Sequence, residues 1–320
     1  MVPGVGEFEL IQRFFVRAPA KRVELGIGDD CALLAPLHPA SSIAVSTDML
    51  VSGRHFFADA APRSIGHKSL AVNLSDLAAM GAKPRAFTLA ISLPAVDEHW
   101  LAEFAAGLFA LADAHDCELI GGDTTKGPLN ICITVFGDCD PQTAMRRDKA
   151  EPDDDIWVSG ELGAASYSVK QRYAGQALPA DHPGTIRAEW PQPRVGLGLE
   201  LRHIAKAAID LSDGLVGDLG HIADRSRVGA QIVWPSVPVA SSLITLEASM
   251  QQALALGGGD DYELLFTAAP ENRDAIAKLS QRLNLRLSLI GRIVVGSGIA
   301  VVDAKGKPIH ANVRSFDHFA

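Results

Sequence analysis

Apolar residues in this chain follow two alternating patterns: short unbroken runs, and longer stretches in which they recur three or four positions apart. The first is the pattern of buried strands, the second that of helices packed along one face. Residues 7–17 read as a short amphipathic helix, and Ser42-Ile43-Ala44-Val45-Ser46 as a buried strand delivering Thr47 and Asp48 at its C-terminal end. Pro62 suits the first turn of a helix, and Gly81, before Pro84, suits its stop. Leu70, Leu74, Leu77 and Ala78 form the core stripe of that helix, while Asn73 and Asp76 share a different face. A strand at 86–93, a helix at 97–115 and strands at 117–120 and 129–137 complete a mixed unit.

The stretch from Asp138 to Asp155, with Pro141, Pro152 and a run of acids, reads as a boundary, and Asp153-Asp154-Asp155 as a solvated loop. The pattern then restarts with Ile156-Trp157-Val158-Ser159-Gly160 as a strand. Helices are expected near 163–173, 194–206, 214–227 and 271–283, and strands near 230–234, 262–268, 286–294 and 298–302. Strands alternating with helices in both halves give an α/β (α+β) fold class. At 320 residues two domains are expected, 1–140 and 150–320. A Leu-Ser-Asp echo at 74–76 and 211–213 hints at related halves.

Composition narrows the function. A net charge of 29 − 38 = −9 argues against nucleic acid and anionic membrane surfaces as partners. Cys31, Cys117, Cys132 and Cys139 form no CxxC pair, and read as free thiols in a reducing cytosol. Residues 1–15 lack the charged start and apolar stretch of a signal peptide, and the apolar stretch 101–114 is too short to span a bilayer. A cytoplasmic location is expected.

Candidate chemistry lies in six short aspartate motifs: Gly26-Ile27-Gly28-Asp29-Asp30, Ser46-Thr47-Asp48, Leu74-Ser75-Asp76-Leu77, Gly121-Gly122-Asp123-Thr124, Ile209-Asp210-Leu211-Ser212-Asp213-Gly214 and Gly258-Gly259-Asp260-Asp261. A lone Asp beside Gly or Ser commonly caps a helix or closes an Asx turn. Six such motifs, if they converge, pose an electrostatic problem. Two carboxylates about 4 Å apart repel by about 4 kcal/mol at an effective dielectric near 20, so a cluster must protonate or hold cations. Oxygen ligands on turns suit Mg²⁺ with substrate phosphates. The P-loop, the GxGxxG turn and the protein-kinase motifs are all absent, so a nucleotide site here would rest on metals and scattered loops.

Read together, Glu24 to Ala32, Ala71 to Gly81, Leu119 to Thr125 and Ala208 to Leu215 resemble the thiamine-monophosphate kinase family, in the superfamily that also contains aminoimidazole ribonucleotide synthetase. The resemblance runs from Gly6 to Phe319. It implies direct in-line, Mg-assisted transfer of the γ-phosphoryl group of ATP to thiamine monophosphate, giving thiamine diphosphate. It also implies a homodimer whose N-terminal mixed sheets meet as a barrel, a C-terminal α/β domain, and an active site between the domains. Carried over by position, Asp30, Ser46, Thr47, Asp48, Asp76, Asp123, Asp210 and Asp213 are the expected ligands of several Mg²⁺ ions. Gly122, Asp123, Arg147 and Ser212 match ATP contacts, and His55, Asp260 and Phe316 match substrate contacts. No general base is expected.

Two departures stand out: Asp260 where the family has Glu, and Gly163-Ala164-Ala165-Ser166 where it carries Gly-Asp-Ser. Other members of the superfamily fit less well, since Cys31 does not suit a selenophosphate synthetase and the Asp317-His318-Phe319-Ala320 end lacks the cysteine of a hydrogenase-maturation protein. A metal-dependent phosphatase would use the same carboxylates with water as acceptor, and a non-catalytic metal-binding module would use them with none.

Overall fold

The computed structural model describes residues 13–16, 23–25, 33–34 and 41–309. The chain forms two compact units that divide between Pro141 and Gln142, with residues 78–81 counted with the second. Strands β1 (Val23–Leu25) and β2 (Leu33–Leu34) make a small antiparallel pair.

The first unit carries a four-stranded sheet of β3 (Ser42–Val51), β4 (Lys83–Leu93), β5 (Glu118–Lys126) and β6 (Asn130–Cys139), in the order β3-β6-β4-β5. The pair β4–β5 is parallel, while β3 and β4 each run antiparallel to β6. On β6 the burial alternates with period two, and Ile131, Ile133 and Val135 turn inward. Helix α1 (Pro62–Ala79) opens with proline at its first position, where a missing N–H costs nothing. Helix α2 (Glu98–Ala114) is capped by Asp97, whose carboxylate accepts the Trp100 amide at 3.0 Å, and it buries Leu101, Phe104, Leu108 and Leu111.

Two expectations change here. The first strand is ten residues long, so Thr47 and Asp48 lie within it, and Ser42, Ile43 and Val45 are exposed rather than buried. The apolar run read as interior is the open face of an edge strand. Helix α1 is buried nearly all round: from Ser64 to Ala79 every residue is buried except Asp76. Asn73, expected off the core face, is fully buried.

The second unit is built on a six-stranded mixed sheet of β7 (Asp155–Ser159), β8 (Ala207–Asp210), β9 (Gly229–Val233), β10 (Leu264–Ala268), β11 (Leu287–Val294) and β12 (Gly298–Val302). Their order is β12-β9-β11-β7-β10-β8. Its core joins Ile156, Val158, Ile209, Leu265, Ile290 and Ile293 to Leu215, Leu219 and Ile222 of a helix. The helices are α3 (Ala164–Tyr173), α4 (Pro183–Glu189), α5 (Val195–Leu201), α6 (Leu215–Ser226), α7 (Ala248–Gly257) and α8 (Arg273–Leu283). The helices α4 and α7 have no counterpart in the sequence reading, and α5 stops at Leu201, short of the expected 206.

The acidic run is a solvated loop only at Asp153, which is exposed in a turn. Asp154 and Asp155 are buried: Lys206 reaches Asp154 at 2.7 Å, and Arg273 grips Asp155 with two nitrogens at 2.6 and 2.7 Å. These pairs tie the start of β7 to later parts of the unit, so the charges are compensated inside. The Leu-Ser-Asp echo is likewise no structural repeat, since residues 74–76 are helical and 211–213 form a turn after β8. No helix among the described residues is long and apolar enough to cross a membrane.

Candidate active site

In the first unit the strand β3 and the helix α1 bring three of the expected ligands together. Pleating sends alternate side chains to opposite faces, and Ser46 and Asp48 share the one that meets the helix. The Ser46 hydroxyl donates to the Asp76 carboxylate. The Asp48 amide donates to the Asn73 side-chain oxygen at 3.1 Å, while the Asn73 nitrogen donates to the Ser69 carbonyl at 3.0 Å. Asn73 thereby fixes the height of Asp48 against the helix. The sequence reading gave it no role; a buried Asn amid Leu70, Leu74 and Leu77 was the signal. Burial and the nearby Asp48 charge push the Cys132 thiol up.

Thr47 stands apart. Its hydroxyl lies on the opposite face, 2.8 Å from that of Thr134, so the structure does not bring it to Ser46, Asp48 and Asp76. His55 follows the strand, and its Nδ1 accepts the Val51 amide at 3.0 Å, which leaves the proton of the neutral ring on Nε2.

The Gly121-Gly122-Asp123-Thr124 motif lies inside β5, which runs on past the expected end at 120. Gly122 has φ +148, and a Cβ there would fall 1.8 Å from the Leu89 carbonyl oxygen. Only glycine permits this approach. Asp123 is exposed one residue later, opposite Ala90 of β4.

In the second unit a separate group forms. Asp210 ends β8 and is buried, and the turn Leu211-Ser212-Asp213-Gly214 leads into α6. The segment 258–263 runs beside that turn. The Asp260 amide donates to the Ser212 carbonyl at 2.9 Å, the Tyr262 amide to the Leu211 carbonyl at 2.8 Å, and the Leu211 amide to the Glu263 carbonyl at 2.9 Å. A Cβ on Gly259 would meet the Ser212 carbonyl oxygen at 2.2 Å. Asp260 and Tyr262 take left-handed backbone angles, φ 68 and φ 48, a strain that surrounding contacts must hold in place. Thus Asp210, Ser212, Asp213 and Asp260 share one corner. Arg147 lies beside α6, where its carbonyl accepts the Ser226 hydroxyl at 2.7 Å at the end of the helix away from that corner.

Beneath the corner, Glu263 is buried under two arginines. Arg194 binds it with two nitrogens, Arg187 approaches at 3.1 Å and the Ser159 hydroxyl donates at 2.5 Å. Sequence reasoning missed this cluster and Asp218, and it named Asp261 within its motif without giving it a role.

Asp30 and Phe316 lie outside the described residues. Among the described residues, no three His, Cys, Asp or Glu side chains stand close enough to hold a metal ion by themselves. The donors brought together are carboxylate and hydroxyl oxygens, the hard ligands of Mg²⁺, which commonly takes one or two carboxylates and completes its shell with water and phosphate. The residues present therefore fit that ion as a companion of a phosphate substrate.

The chain matches the family described as AIR synthase related protein, N-terminal domain, over residues 28–139, and AIR synthase related protein, C-terminal domain, over residues 151–304. It is 43% identical to the thiamine-monophosphate kinase of Escherichia coli (strain K12), covering 98% of each chain. The crystal structure of thiamine-monophosphate kinase from Stenotrophomonas maltophilia K279a is similar with a TM-score of 0.84 and 48% identity, covering 90% of this chain and 93% of that one. A structure described as AaThiL complexed with AMPPCP and TMP is similar with a TM-score of 0.77 and 27% identity, covering 89% of each. By these matches the chain belongs to the thiamine-monophosphate kinase family, within the AIR synthase related proteins.

Proposed function

We propose that the protein transfers the γ-phosphoryl group of ATP to thiamine monophosphate, giving thiamine diphosphate and ADP. The observation that carries this reading is likeness over 98% of the chain to a kinase of that name. A relative of the same fold described as holding AMPPCP and TMP together supports ATP and thiamine monophosphate as the substrate pair.

The chemistry asks little covalent work of the protein. The acceptor is a phosphate monoester whose second pKa is about 6, so its oxygen is already ionised at neutral pH and needs no general base. The difficulty is bringing two polyanions into line. Ser46, Asp48 and Asp76 in one unit, and Asp210 and Asp213 in the other, would hold Mg²⁺, with Asp123 and Asp30 as further ligands by family resemblance; the Thr47 hydroxyl, turned to the opposite face of β3, is not among them. Bound there, Mg²⁺ would neutralise phosphate charge and lower the cost of the approach. Asn73 keeps Asp48 in register, and the Ser46–Asp76 bond orients that carboxylate. Arg147, with Gly122, Asp123 and Ser212 on the nucleotide, would spread the charge of the transferring group. His55, Asp260 and Phe316 would meet the thiamine moiety, and an aromatic face suits its cationic thiazolium. We further propose a homodimer, supported by the open apolar face of β3, and a cytoplasmic location.

The test is ADP release as a function of acceptor. ADP and thiamine diphosphate should appear in equal amounts, with Mg²⁺ and thiamine monophosphate present, and thiamine itself should be a poor acceptor. Free phosphate in place of thiamine diphosphate, or a phosphoenzyme trapped with labelled ATP alone, would sink the reading.

A further inference from the structure

Two buried carboxylates take no part in the chemistry above, yet Asp218 holds two main-chain amides and Asp261 one at the site corner. Asp218 is 2% exposed, and its Oδ2 accepts the amides of Asp213 at 3.2 Å and Gly214 at 3.1 Å. Asp261 is 7% exposed, and both its oxygens accept the Gly163 amide, at 3.0 and 3.1 Å.

We propose that Asp218 and Asp261 are positioning residues with divided labour: Asp218 fixes the turn that carries Asp213, and Asp261 fixes the turn that carries Asp260.

The geometry separates the two tasks. Asp218 sits in the first turns of α6 and reaches back to the two residues before the helix, so it clamps the turn from its C-terminal side. Asp261 stands between two residues with left-handed backbone, Asp260 and Tyr262. Its side chain ties this strained segment to Gly163, the residue before α3, which itself has φ 91. Ser166 adds a second tie, donating to the Gly163 carbonyl at 3.1 Å and lying 3.4 Å from the Leu254 carbonyl. The Gly163-Ala164-Ala165-Ser166 turn, which lacks the family's acid, thus keeps a mechanical use: it is the anchor for the segment that carries Asp260.

This inference rests on the reading that Asp213 serves the metal and nucleotide and Asp260 the thiamine substrate. The experiment is steady-state kinetics on the full chain, with folding checked by near-UV circular dichroism. Asp218→Ala should raise KM for MgATP about tenfold, within the loss expected when buried amides lose their acceptor, and leave KM for thiamine monophosphate within about twofold. Asp261→Ala should do the reverse. Asp261→Asn, which keeps an acceptor for the single Gly163 amide, should restore the substrate constant. If Asp261→Ala does not fold, Ser166→Ala is measured instead, and a raised KM for thiamine monophosphate is again expected. Folded variants in which both constants are unchanged, or move together, overturn the division of labour. Loss of fold in both Asp261→Ala and Ser166→Ala overturns it as well, because the tie would then carry the unit and not the turn. Asp213→Asn and Asp260→Ala serve as references: no effect from these would remove the reading of the turns themselves, while losses there beside unchanged Asp218 and Asp261 variants would remove only the ties.

Discussion

At the scale of single residues, burial decides what an aspartate does more than its neighbours in sequence do. Asp76 is the one unburied position between Ser64 and Ala79, while Asp154, in a run that reads as solvated, is 2% exposed and paired with Lys206. Replacing Asp48 or Asp76 by Asn should therefore lower kcat by about 100-fold or more with the melting temperature nearly unchanged. Asp154→Asn should show the opposite split: about 1–3 kcal/mol lost in urea unfolding and normal turnover per folded molecule. Asp261 makes a pH prediction. Burial raises its pKa well above the usual carboxylate value, with Glu263 and Asp260 adding to the effect against the Gly163 amide and Arg187. In that range the folded state holds a proton that the unfolded state has released, so stability falls as pH rises from the ordinary Asp value toward the raised one. Asp261→Asn cannot ionise, and the difference in unfolding free energy between it and the parent should shift in its favour from pH 4 to pH 8. Parallel pH profiles for the two proteins would contradict this.

Elements were legible in the sequence where their pattern was local, and misread where partners elsewhere set the environment. Residues 97–115 read as a helix because of their spacing, and the observed helix spans Glu98–Ala114. Helix α4 escaped notice because seven residues opening with Pro183 carry too little periodicity, and part of what starts it is His182, whose Nδ1 accepts the Gly184 amide. The aspartate motifs themselves stood out in the sequence, but their supports did not, since Asn73, Asp218 and Asp261 act through amides that only the fold brings near. In strand β5 the glycine pair reads as a strand end for a local reason. Gly121-Gly122 lies at a register shift against β4, so the strand continues through an irregularity that usually terminates one. Gly122→Ala would set a Cβ against the Leu89 carbonyl in a backbone region that L-residues avoid. It should cost about 2 kcal/mol or more in urea unfolding and loosen β4–β5 amide protection first. A variant as stable as the parent would mean that the register shift can relax.

At the scale of the molecule, an exposed apolar face among the described residues is the outer face of β3. Ile43, Val45 and Met49 are 45%, 58% and 53% exposed, on a strand at the end of its sheet. Water at such a face costs roughly 25 cal/mol for each Å² of apolar surface left uncovered, and an exposed edge invites pairing with another chain. A second copy of the same strand face is the partner expected under the proposed homodimer, since one self-complementary patch closes a two-fold dimer. The same strand carries Ser46 and Asp48 on its inner face, so covering the outer face would also stiffen the strand that presents them. Sedimentation at micromolar concentration should give a dimer. Val45→Asp places a charge at the most exposed apolar position of the strand and should yield monomer, with kcat reduced because β3 loses its support. A parent protein that sediments as monomer, or a Val45→Asp variant that remains dimeric, would move the contact away from this strand; a monomeric variant with full turnover would keep the interface but cut its link to Ser46 and Asp48.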